Sequence, residues 1–74
     1  MHVLSWNARG ACNQGTIDYL KTMSATYHIS VCGILEPKAG HEKLESFARQ
    51  LGFNNSMHGG SINNKIWILW KDSV

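Results

Sequence analysis

The sequence predicts an α/β domain whose strands and helices follow one another in the order β-α-β-α-β-β. Residues 29–36 and 65–71 are almost continuous apolar runs of strand length, which is typical of buried strands. Between them, apolar side chains recur at the i, i+3, i+4 and i+7 spacing of an amphipathic helix, at Leu44, Phe47, Ala48 and Leu51. A strand–helix–strand order at the start of the chain predicts that the first two long strands run parallel, joined by a right-handed crossover.

The first strand and helix are predicted from short patterns. Residues 2–7 predict a strand, and the glycines and asparagine of residues 9–15 predict a loop. Thr16 is the expected N-cap of the first helix, which places Asp18 in the first turn, where a negative charge suits the helix dipole. The helix is expected to end near residues 27–28. Its apolar stripe is predicted to consist of Ile17, Leu20, Met23 and Tyr27.

The second strand carries apolar residues on both parities, which predicts that it is covered on both faces. Pro37 is expected to hold Glu36 in extended geometry and to end the strand there. The remaining elements are predicted as a third strand, a hairpin loop and a fourth strand antiparallel to the third, at residues 53–58, 59–64 and 65–71.

Composition limits the classes of protein that fit. With 74 residues and 43% hydrophobic residues, the chain holds one small domain at most and is not a disordered segment. A formal charge of +2 permits a nucleic-acid partner without indicating one. Cys12 and Cys32 do not form a Cys-x-x-Cys pair, so both are predicted as free thiols in an intracellular, reducing compartment. Neither a signal peptide nor a membrane-spanning segment is expected.

Asn7 and Glu36 each follow a predicted parallel strand at its carboxyl end. Ligands bind at this edge of open α/β sheets. A carboxylate there can bind a hard cation such as Mg²⁺, and an amide beside it can orient a phosphate or the water shell of the metal. The two residues taken alone also fit a simpler interpretation, in which Asn7 forms a turn and Glu36 is a solvated strand end.

The segment Leu-Ser-Trp-Asn-Ala-Arg-Gly at residues 4–10 resembles the first-strand motif of the exonuclease–endonuclease–phosphatase superfamily. It looks most like the version found in endonucleases of plant LINE-type (non-LTR) retrotransposons. The segment Ile-Leu-Glu-Pro-Lys at residues 34–38 resembles the second-strand motif of that family. Residues 51–53 and 67–71 match in order and approximate spacing, so the resemblance spans nearly the whole chain. It implies the N-terminal part of a four-layered α/β sandwich.

The resemblance also implies roles for individual residues. Glu36 would be the metal-binding carboxylate, and Asn7 would position the metal and the scissile phosphate. The implied cofactor is Mg²⁺, which polarises the phosphoryl oxygen under attack by water. Arg9 and Lys38 would contact nucleic-acid phosphates, with DNA the expected partner and the nucleus a fitting location. Solvated basic side chains are the ordinary alternative for Arg9 and Lys38.

The sequence departs from the family pattern in its later motifs. A tyrosine, an Asp-x-Asn pair and a terminal Asp-His pair, which the family uses for catalysis, have no counterpart here, and Pro37 replaces the usual Thr. We therefore expect a truncated endonuclease-like protein of retroelement origin that is inactive alone. One alternative is a non-catalytic module that binds nucleic acid or protein through an open sheet edge, which could also self-associate. Another is the N-terminal piece of a longer active endonuclease.

Two further site types fit the sequence less well. A zinc site from Cys12, Cys32 and the histidines would lack the close ligand pairs of structural zinc sites. The three tryptophans could stack on bases, but their positions inside apolar strands predict core packing instead, at Trp6, Trp67 and Trp70.

Overall fold

The described part of the chain forms two helices and a four-stranded sheet, which is the mixed α/β class that the sequence predicts. The computed structural model describes residues 2–7, 13–60 and 65–72. Along the chain, the elements are β1 (His2–Asn7), α1 (Gln14–Tyr27), β2 (Ile29–Leu35), a 3₁₀ turn (His41–Lys43), α2 (Leu44–Leu51), β3 (Asn55–Gly60) and β4 (Lys65–Trp70).

The strands lie in the order β1-β2-β4-β3 across the sheet. β1 pairs with β2 in parallel, as predicted, so the carboxyl ends of both strands lie at one edge of the sheet. β4 is antiparallel to both of its neighbours, β2 and β3, and therefore begins at that same edge. The third strand runs two residues later than predicted, to Gly60, and residues 61–64 of the predicted hairpin loop lie outside the described residues.

Helix α1 starts earlier than the sequence analysis predicts. Its N-cap is Asn13, whose side-chain oxygen accepts a hydrogen bond of 2.8 Å from the backbone N–H two residues later. The predicted cap at Thr16 is therefore wrong, because Thr16 lies inside the helix that Asn13 caps. Asp18 consequently lies beyond the first turn and adds nothing to the helix dipole there. The helix ends at Tyr27, as predicted.

The core lies between the two helices and one face of the sheet. All four predicted apolar residues of α2 are buried, and Phe47 packs against Trp67 of β4 with ring centroids 5.4 Å apart. The apolar stripe on α1 is shorter than predicted, because Tyr27 at its end is exposed. The last buried residue of this helix is Ser24. The sheet contributes side chains from alternate positions of its two central strands, namely Cys32, Ile34, Trp67 and Leu69. Trp6 packs at the margin of this core, whereas Trp70 points away from it.

The opposite face of the sheet is bare in the described part of the chain. Within the described residues β2 is covered on one face, because both helices pack against the same face. The cover that the apolar pattern of β2 predicts for its other face is not supplied by these elements. The pairing of the strands places three rows of residues on this face, which are Val3–Val31–Trp70–Asn55, Ser5–Gly33–Ile68–Met57 and Asn7–Leu35–Ile66–Gly59. Of the six large apolar side chains that are exposed within the described ranges, four belong to these rows: Val3, Leu35, Met57 and Ile68. We call these three rows the bare face.

One-sided burial predicts unequal costs for neighbouring substitutions on β4. Leu69→Ala empties a fully buried site and should lower the free energy of unfolding by about 2–5 kcal/mol. Ile68→Ala, one residue away but 37% exposed, should cost about 1 kcal/mol or less, chiefly through strand propensity. Urea unfolding of the two variants measures the difference. Equal costs would show that the bare face is covered within the chain itself.

Candidate functional site

Asn7 and Glu36 line the same surface depression, which has a volume of about 260 Å³. Asn7 is the last residue of β1, and Glu36 directly follows β2, so the parallel pairing of the strands brings the two side chains to one edge of the sheet. The other lining residues are Leu35, Lys65 and Ile66. The structure therefore brings together the two residues that the sequence analysis selects as metal- and phosphate-positioning groups.

Lys65 is the additional residue that the structure places at this site. The backbone N–H of Glu36 donates to the carbonyl of Lys65 at 3.0 Å, which continues the β2–β4 pairing by one residue beyond Leu35–Ile66. The first residue of β4 is thereby fixed opposite Glu36. The sequence does not predict a role for Lys65 at this site, because the antiparallel pairing of β4 with β2 is not readable from local patterns.

The loop after β2 is conformationally strained. Glu36 has φ 51° and Lys38 has φ 53°, both in the left-handed region, on either side of the buried Pro37. The prediction that Pro37 keeps Glu36 extended is wrong. The burial of Pro37 and the hydrogen bond from Glu36 to Lys65 together outweigh the local preference of a residue before proline. Strain of this kind is concentrated at binding and catalytic sites.

The predicted nucleic-acid contacts do not all reach the depression. Lys38 is exposed and is not among the residues that line it. Arg9 lies outside the described residues, as does Cys12. Among the described residues, the basic side chain that lines the depression is Lys65.

The donor atoms at the depression suit a hard cation. Glu36 offers a carboxylate and Asn7 an amide oxygen, and Mg²⁺ is commonly bound by one or two carboxylates while it keeps several waters. Across the described ranges, no three or more His, Cys, Asp or Glu side chains are grouped as metal ligands. Cys32 is a free, buried thiol, and burial raises its pKa to about 11, which favours the protonated form at neutral pH. Within the same ranges, no helix is long and apolar enough to cross a membrane.

The strain at Glu36 can be measured by substitution. Glu36→Gly should raise the free energy of unfolding by about 0.5–1 kcal/mol relative to Glu36→Ala, because glycine adopts a positive φ without the steric cost and gives back part of that gain in chain entropy. Both variants lack the carboxylate, so their difference isolates the backbone term. Urea unfolding gives the comparison. A Gly variant no more stable than the Ala variant would contradict the left-handed conformation of Glu36.

The structural basis for assigning a function is the depression with the side chains of Asn7 and Glu36. No family model, curated protein or solved structure matches the chain. The proposals below therefore stand on the geometry of the described residues and on the resemblance of the two motifs.

Proposed function

We propose that this chain is the helix-covered half of an endonuclease-like, Mg²⁺-dependent phosphodiesterase domain, and that it has no turnover alone. The observation that supports this most is the meeting of Asn7 and Glu36 in one depression at the carboxyl ends of two adjacent parallel strands. The two motifs that resemble the family, at residues 4–10 and 34–38, contain these two residues, so the resemblance and the geometry select the same edge of the sheet.

The proposed roles follow from the side chains at the depression. Glu36 would bind Mg²⁺ through its carboxylate, and Asn7 would orient a phosphate or a metal-bound water. When bound, Mg²⁺ would supply Lewis-acid polarisation of the phosphoryl oxygen. Lys65 adds a positive charge at the rim, which suits a phosphodiester backbone such as that of DNA. This combination favours binding a phosphate group over any neutral substrate.

The same site explains why the chain is proposed to be inactive alone. In the part of the chain that the structure describes, no histidine or aspartate that could serve as general base lines the depression. A positioned general base typically contributes about 10²–10⁴ in rate. One carboxylate also binds Mg²⁺ weakly, because the ion gives up its water shell reluctantly. Retroelement origin and truncation remain part of the proposal, supported by the motif resemblance.

The bare face supports a sandwich layering. A second sheet packed about 10 Å away would bury the exposed rows and complete a four-layered α/β sandwich. Gly33 lies in the middle row, between Ser5 and Ile68, and a Cβ atom there would meet no atom of the described residues closer than 4.0 Å. Packing among the described residues therefore does not require its small size. A glycine in such a position is typical of strands that another layer approaches closely.

Metal binding tests the proposal without requiring activity. Mn²⁺, added as a paramagnetic substitute for Mg²⁺, should broaden the backbone NMR signals of Leu35, Glu36 and Ile66 before others, and excess Mg²⁺ should reverse the effect. Glu36→Gln should abolish the broadening, since the carboxylate is lost while the side-chain volume is kept. Glu45→Gln, an exposed carboxylate on α2, is the matched control and should leave it unchanged.

Broadening centred elsewhere, or broadening that survives Glu36→Gln, would contradict the proposed metal position. In the same preparation, supercoiled DNA with Mg²⁺ should remain unnicked by the chain alone. Nicking that depends on Glu36 would show that the chain is a complete enzyme and would overturn the claim of inactivity.

A non-catalytic binding module is the second candidate, and the exposed apolar rows of the bare face favour it. This candidate is distinguished by DNA binding that weakens with salt and with Lys38→Gln but not with Glu36→Gln.

A further inference from the structure

The indole N–H of Trp67 makes a hydrogen bond to the imidazole of His41. Trp67 is fully buried in the core, and its Nε1–H donates to Nδ1 of His41 at 3.3 Å. An indole nitrogen can only donate, so His41 is the acceptor that satisfies this buried group in the described part of the chain. The two residues are 26 positions apart, and the bond joins the 3₁₀ turn before α2 to the centre of the sheet.

The hydrogen bond fixes the protonation state of His41. Its Nδ1 must carry a lone pair in order to accept, so the imidazole is neutral with its proton on Nε2. Protonation would turn Nδ1 into a second donor facing the donor of Trp67. The buried N–H would then have no acceptor, and leaving such a group unsatisfied is costly.

The surroundings of His41 also disfavour the charged form. The ring of His58, on β3, stacks on that of His41 with centroids 3.7 Å apart and an interplanar angle of 13°. Partial burial lowers the pKa of His41, the charges of His58 and Lys65 lower it further, and the carboxylate of Glu42 acts in the opposite direction. Geometry and charge therefore favour the same neutral state.

The stacked histidines do not form a metal site. Imidazole lone pairs lie in the plane of the ring, so nearly parallel rings cannot direct them at one ion about 2.0–2.1 Å away. In addition, Nδ1 of His41 is occupied by the hydrogen bond from Trp67. The pair must therefore act through its protons or through packing.

We propose that the His41–Trp67 hydrogen bond is an acid-sensitive attachment of the loop between β2 and α2 to β4. The bond is made while His41 is neutral and is broken when His41 is protonated. This loop has two attachments to β4, which are the backbone hydrogen bond from Glu36 to Lys65 at its start and the bond from Trp67 to His41 at its end. Loss of the second attachment frees the end of the strained segment. The proposal is independent of any metal or substrate at Glu36.

The sign of the pH dependence follows from the direction of the shift. His41 has a pKa below its usual 6.5 in the folded chain, so around and below pH 6.5 the unfolded chain binds more protons. The stabilisation is complete above that pH and is lost as the pH falls through 6.5 towards the lower, folded pKa. The folded-to-unfolded ratio should fall in total by ten raised to the measured difference in pKa.

Two measurements on the full chain test this. NMR titration should give His41 a pKa below 6.5 with the proton on Nε2 at neutral pH, and the Trp67 Nε1–H signal should shift with the same midpoint as His41. Urea unfolding between pH 7.5 and 5 should show the loss of stability in the unmodified chain. His41→Gln keeps an acceptor that does not titrate and should flatten this dependence, whereas His2→Gln, on an exposed end of β1, should leave it unchanged.

His58→Gln should raise the pKa of His41 towards 6.5 without removing the coupling to Trp67, because it removes a neighbouring positive charge and keeps the acceptor. A Trp67 signal that does not follow His41, a His41 pKa at or above 6.5, or the absence of a cooperative transition at pH 7.5 would each overturn the proposal. If His41→Gln does not fold, the titration of the unmodified chain decides alone.

Discussion

The packing of both helices against one face of the sheet is the constraint on which the rest of the structure depends. Trp67 and Leu69 of β4 are both fully buried, and they alternate along the strand with side chains that point to the bare face. Because the period of a strand is two, burying one set of residues commits the other set to the opposite side. The core, the bare face and the position of every strand partner follow from that one choice of face.

The placement of β4 also determines the candidate site. Its pairing with β2 puts Lys65 opposite Glu36, and this pairing, together with the burial of Pro37, holds Glu36 in the left-handed region. Burial of Trp67 on the other side of the same strand requires an acceptor for its indole N–H, which His41 provides. Both attachments of the loop after β2 are therefore consequences of where one strand packs, and the depression shared by Asn7 and Glu36 lies at the edge that this strand completes.

Periodicity predicted the elements whose side chains repeat in a regular pattern. The buried stripe of α2 and the parallel pairing of β1 with β2 were confirmed because spacing and element order carry that information directly. Features that depend on distant residues were missed. The extended geometry expected for Glu36 was overridden by a contact with Lys65, and the hydrogen bond between His41 and Trp67 joins two segments that share no local pattern.

The described residues supply cover for only one of the two faces on which β2 was expected to be buried. Apolar residues at both odd and even positions of a strand indicate that both of its faces favour burial. They do not indicate whether the same chain supplies the residues that cover each face. Asn7 and Glu36 were predicted as a pair because parallel strands bring their carboxyl ends to one edge. Whether they bind a metal depends on the chemistry of the assembled site, which remains the proposal.

Binding of the dye anilinonaphthalene sulfonate (ANS) to the folded chain tests the one-sided architecture most directly. At pH 7.5, with a cooperative urea transition established, the chain should enhance the fluorescence of the dye, because the bare face exposes the apolar side chains of Val3, Leu35, Met57 and Ile68. The triple substitution Val3→Thr, Met57→Thr, Ile68→Thr should abolish most of the enhancement, whereas Tyr27→Ser, which removes an exposed aromatic ring elsewhere, should not. Equal fluorescence from the triple variant and the unmodified chain would contradict the bare face and the account built on it.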